Sequence, residues 1–209
     1  MNISALIPAY NEQNTIGEII DTLKGIEEID EIVVVDDGSS DNTSLVAREF
    51  GAKVIRLDQN QGKGAAIQEG VNEIDSEIIL MLDGDLIGLA AKHIYKLINP
   101  LKEDEADMVV GIFNEGRGLT DIAQLVTPNL SGQRAVKAEI MDNIKDLRKK
   151  GLGVEISLNK YVKENGRLRF VDLPELTHIT KEEKMGFIRG LKARMKMYWE
   201  IIVTVLKRY

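Results

Sequence analysis

Through its first hundred or so positions the chain alternates short runs of β-branched and aliphatic residues with segments whose apolar residues recur every three to four places. The first pattern is that of buried strands and the second that of amphipathic helices. Strands are expected at Ile3–Pro8, Glu31–Asp36, Ala52–Leu57, Ile78–Leu82 and Asp107–Ile112. Between them, helices are expected at Thr15–Lys24, Thr43–Phe50, Lys63–Ile74 and Leu89–Leu101. Such alternation builds an α/β domain, a mostly parallel sheet flanked by crossover helices.

The pattern changes after Ile112. Residues 114–127 carry two glycines and Arg117, end against Pro128, and read as an irregular active-site segment. Ser131–Arg148 reads as a helix, Val154–Glu164 as another, and a strand follows near Arg169–Leu173. Lys181–Tyr209 reads as a long amphipathic helix with Phe187, Ile188, Leu191, Met195, Tyr198, Ile202 and Val205 on one broad face.

Composition narrows the classes. A chain of 209 residues, 44% hydrophobic, fits one compact domain with a short appendage. The net charge of −7 argues against nucleic acid as a partner, because neutralising phosphates needs clustered Lys and Arg. From Lys181 to Tyr209, eight basic residues oppose three acidic ones, giving the tail +5 and the remainder −12. The absence of Cys excludes disulfides and thiolate chemistry and is compatible with a reducing cytoplasm. No signal peptide is expected, and the apolar run Ile201–Leu206 is far below the roughly 18–20 residues of a spanning helix.

Several strands end in polar, glycine-bearing turns, and in open α/β sheets ligands sit beyond the carboxyl ends of the strands. The strongest local signal is Asp83-Gly84-Asp85 after the strand Ile78–Leu82. Two carboxylates so spaced can hold one hard divalent cation, Mg²⁺ or Mn²⁺, with Gly84 permitting a tight turn; an ordinary surface turn is the competing reading. Asp36 and Asp37 end a second strand, where acceptor-only carboxylates suit the N–H groups of a nucleobase, while Asp41 and Asn42 suit a helix cap. Pro8, Tyr10 and Glu12 lie at the end of the first strand, Tyr10 placed to stack on a base and Glu12 to bind ribose hydroxyls, with Asn11 or Asn14 as helix caps. Lys63, between Gly62 and Gly64 at a helix start, suits a phosphate or an anionic base edge.

In type, order and spacing over residues 1–112, these four motifs resemble glycosyltransferase family 2 and its GT-A, Rossmann-like fold. The resemblance implies a nucleotide-sugar donor, a UDP- or GDP-sugar, bound through Pro8, Tyr10, Glu12, Asp37 and Lys63, with Asp83 and Asp85 on the metal and the sugar diphosphate. Residues 1–112 would then form the donor half, 113–180 the acceptor half of the same domain, and 181–209 a basic helix.

The segments Ser131-Gly132-Gln133-Arg134-Ala135 and Gly151-Leu152-Gly153-Val154-Glu155-Ile156, then a strand and Leu176-Thr177-His178, look like the acceptor half of glucosyl-3-phosphoglycerate synthases. That resemblance implies that Glu155 faces the acceptor or sugar hydroxyls and that His178 is a third metal ligand. Gly-Gln-Arg stands here where Gly-Gly-Glu is typical, and this chain is much shorter than those enzymes. Arg117 and Arg134 are the candidates for holding an anionic acceptor, against simple surface ion pairs. Glu155 equally suits the dipole at a helix start. His93 is expected on the solvent face of its helix.

The expected reaction moves a sugar to a phosphorylated small molecule or lipid phosphate, with Asp85 and Glu155 as the catalytic pair. Family 2 enzymes generally invert and the phosphoglycerate glucosyltransferases retain; both stay open. The tail helix is expected to pack on the domain or on a second subunit, and after that to rest on anionic lipid at the inner face of a membrane. A sugar-phosphate nucleotidyltransferase would carry a glycine-rich, Arg-bearing loop where Pro8–Glu12 stands, and a dinucleotide oxidoreductase would carry G-x-G-x-x-G. A nucleotide-sugar-binding module without turnover is the remaining alternative.

Overall fold

The computed structural model describes residues 1–113, 131–144, 147 and 153–178. Among these, the strands are β1 (Ile3–Ala9), β2 (Glu31–Asp36), β3 (Lys53–Arg56), β4 (Ile78–Met81), β5 (Leu86–Ile87), β6 (Met108–Ile112), β7 (Arg134–Lys137), β8 (Leu168–Asp172) and β9 (Thr177–His178). The helices are α1 (Ile16–Lys24), α2 (Thr43–Glu49), α3 (Lys63–Asn72), α4 (Ala91–Lys102), α5 (Ala138–Asp142) and α6 (Gly153–Asn165).

Seven strands form one sheet in the order β3-β2-β1-β4-β7-β6-β8. All neighbours run parallel except β7, which lies antiparallel to both β4 and β6. This mostly parallel sheet flanked by helices is the layout of the GT-A fold. Alternate strand residues supply two cores. Ile3, Ala5 and Ile7 pack with Ile16, Ile19 and Leu23 of α1 and Ile94, Leu97 and Ile98 of α4. Leu6, Val33, Val35, Ile79 and Met81 face the other way, onto Ala66 and Ile67 of α3 and Val154, Leu158 and Val162 of α6. Each of those fully buried α6 side chains contributes about 1.5–3 kcal/mol.

The segment expected to be one helix from Ser131 to Arg148 begins instead as a strand. Arg134–Lys137 pairs on both sides, with Met81–Ile78 and with Val110–Met108, and only Ala138–Asp142 is helical after it. Two ladders of backbone hydrogen bonds outweigh a local helical preference, which is a weak term of under about 1 kcal/mol per residue. The chain separates into two compact units, Met1–Leu176 and Thr177–Tyr209. The long tail helix expected at 181–209 falls outside the described residues. No helix among the described residues is long and apolar enough to cross a membrane.

Candidate nucleotide-sugar site

β1, β2 and β4 are parallel and in register, Ala9 opposite Asp36 and Leu6 opposite Met81, so their carboxyl ends share one edge. The turns that follow are fastened to one another. Asn11 N–H donates to Ser39 Oγ (2.9 Å), Ser40 N–H to Asn11 Oδ1 (2.9 Å), and Glu12 N–H to Thr43 Oγ1 (2.8 Å). Asn11, with φ of 58°, therefore ties two loops together rather than capping α1. The Glu12 carbonyl accepts from Thr15 and Ile16 at the start of α1. Asp41 caps α2, accepting from Thr43 N–H at 3.0 Å.

Asp36, which ends β2, and Asp37, which follows it, both hold loop backbone. Asp36 is fully buried and accepts from Ser39 N–H (2.8 Å), the Ser44 hydroxyl and Arg56 Nη1 (3.2 Å), while Arg56 Nη2 donates to Ser39 O (2.8 Å). That enclosure corrects the base-reading role expected of Asp36. Buried backbone donors and a guanidinium claim its oxygens first. Asp37 accepts from Gln61 N–H (2.7 Å) and Gly62 N–H (2.8 Å), anchoring the loop that delivers Lys63. Pro8 is buried inside β1 opposite Val35, so it shapes the strand and does not reach the edge. Tyr10, 46% exposed, and half-buried Glu12 do reach it.

At the end of β4 the turn is held from three sides. Asp83 N–H donates to Gln133 Oε1 (2.9 Å), and Gln133 Nε2 donates back to Asp83 Oδ2 (2.8 Å). Lys63 Nζ donates to Asp83 Oδ1 at 2.6 Å and pairs with Glu155 Oε1 at 2.7 Å. The buried hydroxyl of Thr15 donates to Gly84 O at 2.6 Å. The antiparallel register explains the meeting with Gln133: Met81 faces Arg134, so the next residues outward, Leu82 and Asp83, run alongside Gln133 and Gly132. A Cβ on Gly132 would lie 2.6 Å from Asp83 Cγ, so any larger residue there displaces that carboxylate. Gly84 has no positive φ; its need is space, with Glu12 Cγ 3.2 Å from where a Cβ would stand.

Glu155 and Asn159 occupy a buried stripe of α6, one turn apart. Glu155 is 3% exposed, and its Oε2 has no hydrogen-bond partner among the described residues. Burial alone would lower the Lys63 pKa, but Asp83 and Glu155 hold it above the ordinary ammonium value. Arg134 is fully enclosed, its guanidinium donating to the carbonyl of Ser131 and to Asn159 Oδ1 (3.2 Å). Burial pulls its pKa down against the charges of Glu155 and Asp83. This corrects the open cation expected of an acceptor ligand: Arg134 braces α6 against β7.

The donor set fits a hard divalent ion. Asp83 and Glu155 already converge on one positive charge, the Lys63 ammonium, and Asp85 stands half-buried at the same turn. Among the described residues no three His, Cys, Asp or Glu side chains gather to hold a metal unaided. Mg²⁺ sites are built from one or two carboxylates completed by water and substrate phosphates, which is what such a turn offers. The side chain of His178, on β9, and Arg117 lie outside the described residues.

His93 departs from its expected solvent-facing place. It is fully buried, its Nδ1 accepting from Ala90 N–H (3.1 Å) and its Nε2 donating to Pro174 O (2.8 Å). The donor at Ala90 fixes that tautomer, and the ring serves as a helix cap. Sequence reasoning missed Gln133, Thr15 and Arg56 as site supports. Gln133 was hidden by the helical reading of its segment, and Thr15 gave no signal because hydroxyls at helix starts are ordinary.

The model of Glycosyl transferase family 2 matches residues 4–155. The glucosyl-3-phosphoglycerate synthase of Petrotoga mobilis is 34% identical over 252 aligned positions, spanning 100% of this chain and 73% of that protein. The match to the synthase of Mycolicibacterium smegmatis, 31% identical over 121 residues, takes in 53% of this chain and only 40% of that protein's length. A crystal structure of glucosyl-3-phosphoglycerate synthase from Mycobacterium tuberculosis with Mn²⁺, UDP-glucose and phosphoglyceric acid superposes with a TM-score of 0.74 at 25% identity, covering 92% of this chain and 79% of that one. Motif order, sheet order and the matched span agree, and the chain belongs to glycosyl transferase family 2.

Proposed function

We propose that this protein transfers a sugar from a nucleotide diphosphate sugar, UDP-glucose in the first instance, to a phosphorylated acceptor of the phosphoglycerate type. The observation that carries the reading is the cluster Lys63–Asp83–Glu155, in which a buried carboxylate oxygen, Glu155 Oε2, lacks a partner among the described residues beside the Asp83-Gly84-Asp85 turn. An unfilled buried acceptor next to a cation-holding turn suits a sugar or acceptor hydroxyl. UDP-glucose and phosphoglyceric acid are bound in the Mycobacterium tuberculosis synthase structure, and the Petrotoga mobilis relative carries the same glucosyl-3-phosphoglycerate synthase name.

In this reading Tyr10 stacks on the base, Glu12 receives the ribose hydroxyls, and the spare lone pairs of Asp37 accept the base N–H. Asp83 and Asp85 would hold a divalent ion, which would supply charge neutralisation for a diphosphate leaving group. Lys63 keeps a fixed positive charge against both Asp83 and Glu155, and Glu155 orients the attacking hydroxyl and receives its proton. His178 is proposed to serve the metal on the strength of the family resemblance, and Arg117 the anionic acceptor because a guanidinium matches phosphate geometry. The basic, amphipathic pattern of 181–209 supports docking on a second copy of the chain, with anionic lipid as the second choice.

The direct test is thermal stabilisation by a panel of UDP- and GDP-sugars with and without Mn²⁺, followed by glucose transfer to 3-phosphoglycerate. UDP-glucose with Mn²⁺ is expected to give the largest shift, and Asp83→Ala to abolish its metal-dependent part. If no nucleotide sugar stabilises the protein, or the shift survives that substitution, the reading is wrong.

A further inference from the structure

Gln133 touches Asp83 at two points. Its Oε1 accepts the Asp83 backbone N–H at 2.9 Å, and its Nε2 donates to Asp83 Oδ2 at 2.8 Å. The orientation of this amide is fixed by chemistry. A backbone N–H can only donate, so Oε1 must face it, and that turns Nε2 onto the carboxylate. Gln133 is itself 1% exposed and cannot swing away into water. On its other side the main chain is fixed too, since Gln133 O accepts from Gly111 N–H at 2.8 Å and Arg134 begins a strand paired on both edges. Backbone and carboxylate of Asp83 are thereby locked to one rotor.

The consequence concerns the geometry of the carboxylate more than its charge. Oδ2 is held by a neutral donor, leaving Oδ1 facing the cationic side of the cluster, where Lys63 Nζ stands at 2.6 Å. A carboxylate pinned in this way meets an incoming ion at one angle only. Rigid oxygen donors favour Mg²⁺, which demands near-ideal octahedral geometry, over Ca²⁺, which takes larger and looser shells.

We propose that Gln133 is the positioning residue of the metal-binding acid Asp83 and that this two-point amide clamp sets the preference of the site for small divalent ions over Ca²⁺. The proposal rests on the metal reading of Asp83 and Asp85 given above.

The test is calorimetric titration of Mg²⁺, Mn²⁺ and Ca²⁺ into the full chain with UDP present, comparing wild type with Gln133→Met, Gln133→Leu and Asp83→Asn. Both apolar substitutions keep the volume and remove the amide. Mg²⁺ binding should weaken about 10–100-fold in them, the usual loss for a group behind a metal ligand. Ca²⁺ binding should change by less than about threefold. Thermal midpoints of the metal-free proteins report folding separately. Equal losses for all three ions, unchanged Mg²⁺ binding, or failure of both apolar variants to fold would overturn the proposal in favour of a purely structural glutamine. Asp83→Asn separates the two layers. If it leaves metal uptake intact, the metal site itself is misplaced; if it abolishes uptake while Gln133→Met does not, only the clamp is wrong.

Discussion

Lys63 Nζ lies 2.7 Å from Glu155 Oε1, and the same ammonium stands 2.6 Å from Asp83 Oδ1. One cation joins the turn after β4 to the first turn of α6, elements that share no strand pairing. Lys63→Met strands a carboxylate on Glu155 that is 3% exposed. The expected loss is about 3 kcal/mol in urea unfolding, the low end for a broken buried pair because a quarter of the Lys63 side chain reaches water. Adding Glu155→Gln to that variant should recover part of it, and Mn²⁺ should raise its midpoint more than that of wild type. A Lys63→Met protein as stable as wild type would dissociate the pair from folding.

Gly132→Ala puts a methyl group 2.6 Å from Asp83 Cγ, and the carboxylate must move. Displacing a reacting-site group by about 1 Å can cost on the order of a hundredfold in rate. Glucose transfer should fall by at least that factor, while the circular dichroism spectrum stays that of wild type. Normal turnover would show that Asp83 tolerates displacement.

Thr15→Val keeps the shape of a buried side chain and deletes the 2.6 Å hydrogen bond to Gly84 O. Stability should drop by about 1–2 kcal/mol, the cost of leaving a buried carbonyl unpaired. Nucleotide binding should weaken alongside it, because Gly84 lies between both acids of the turn. Chemical denaturation with and without UDP and Mn²⁺ measures both.

His93 makes stability depend on pH. Burial holds its pKa below the ordinary 6.5, helped by Lys92 and Lys96 and opposed by the Pro174 carbonyl and Glu175. Below pH 6.5 the unfolded chain takes up a proton that the folded chain resists, so this contribution is complete above 6.5 and is lost as pH falls. Thermal midpoints from pH 7.5 down to 5 should decline, and His93→Gln, which cannot titrate, should flatten that part of the profile. Parallel profiles for the two proteins would remove His93 as the cause.

The parallel half of the fold was legible because its strands and helices each answer to one local period, and β2 and α1 fall within a residue of their expected bounds. The Asp83-Gly84-Asp85 turn was legible for the same reason, as polar residues ending an apolar run. β7 was not, since Arg134–Lys137 is strand only by virtue of two neighbours distant in sequence. With β7 unseen, Gln133 and Gly132 could not be placed beside Asp83, nor Arg134 in the interior. Asp36 misled for a different reason. Its residue type suited ligand and loop alike, and only the positions of Arg56 and Ser44 decide how its oxygens are used here.

The reversal of β7 has a further effect on how this protein can diversify. The chain leaves the sheet at Ile112 and returns at Arg134 on the adjacent strand, with Val110 already facing Arg134. Whatever lies between those two points is an excursion whose ends are pinned side by side. Lengthening such an excursion costs only about 0.6 kcal/mol for each doubling. The length of chain between them can therefore change while Gln133 keeps its grip on Asp83, so that length and the geometry of the Asp83 turn vary independently.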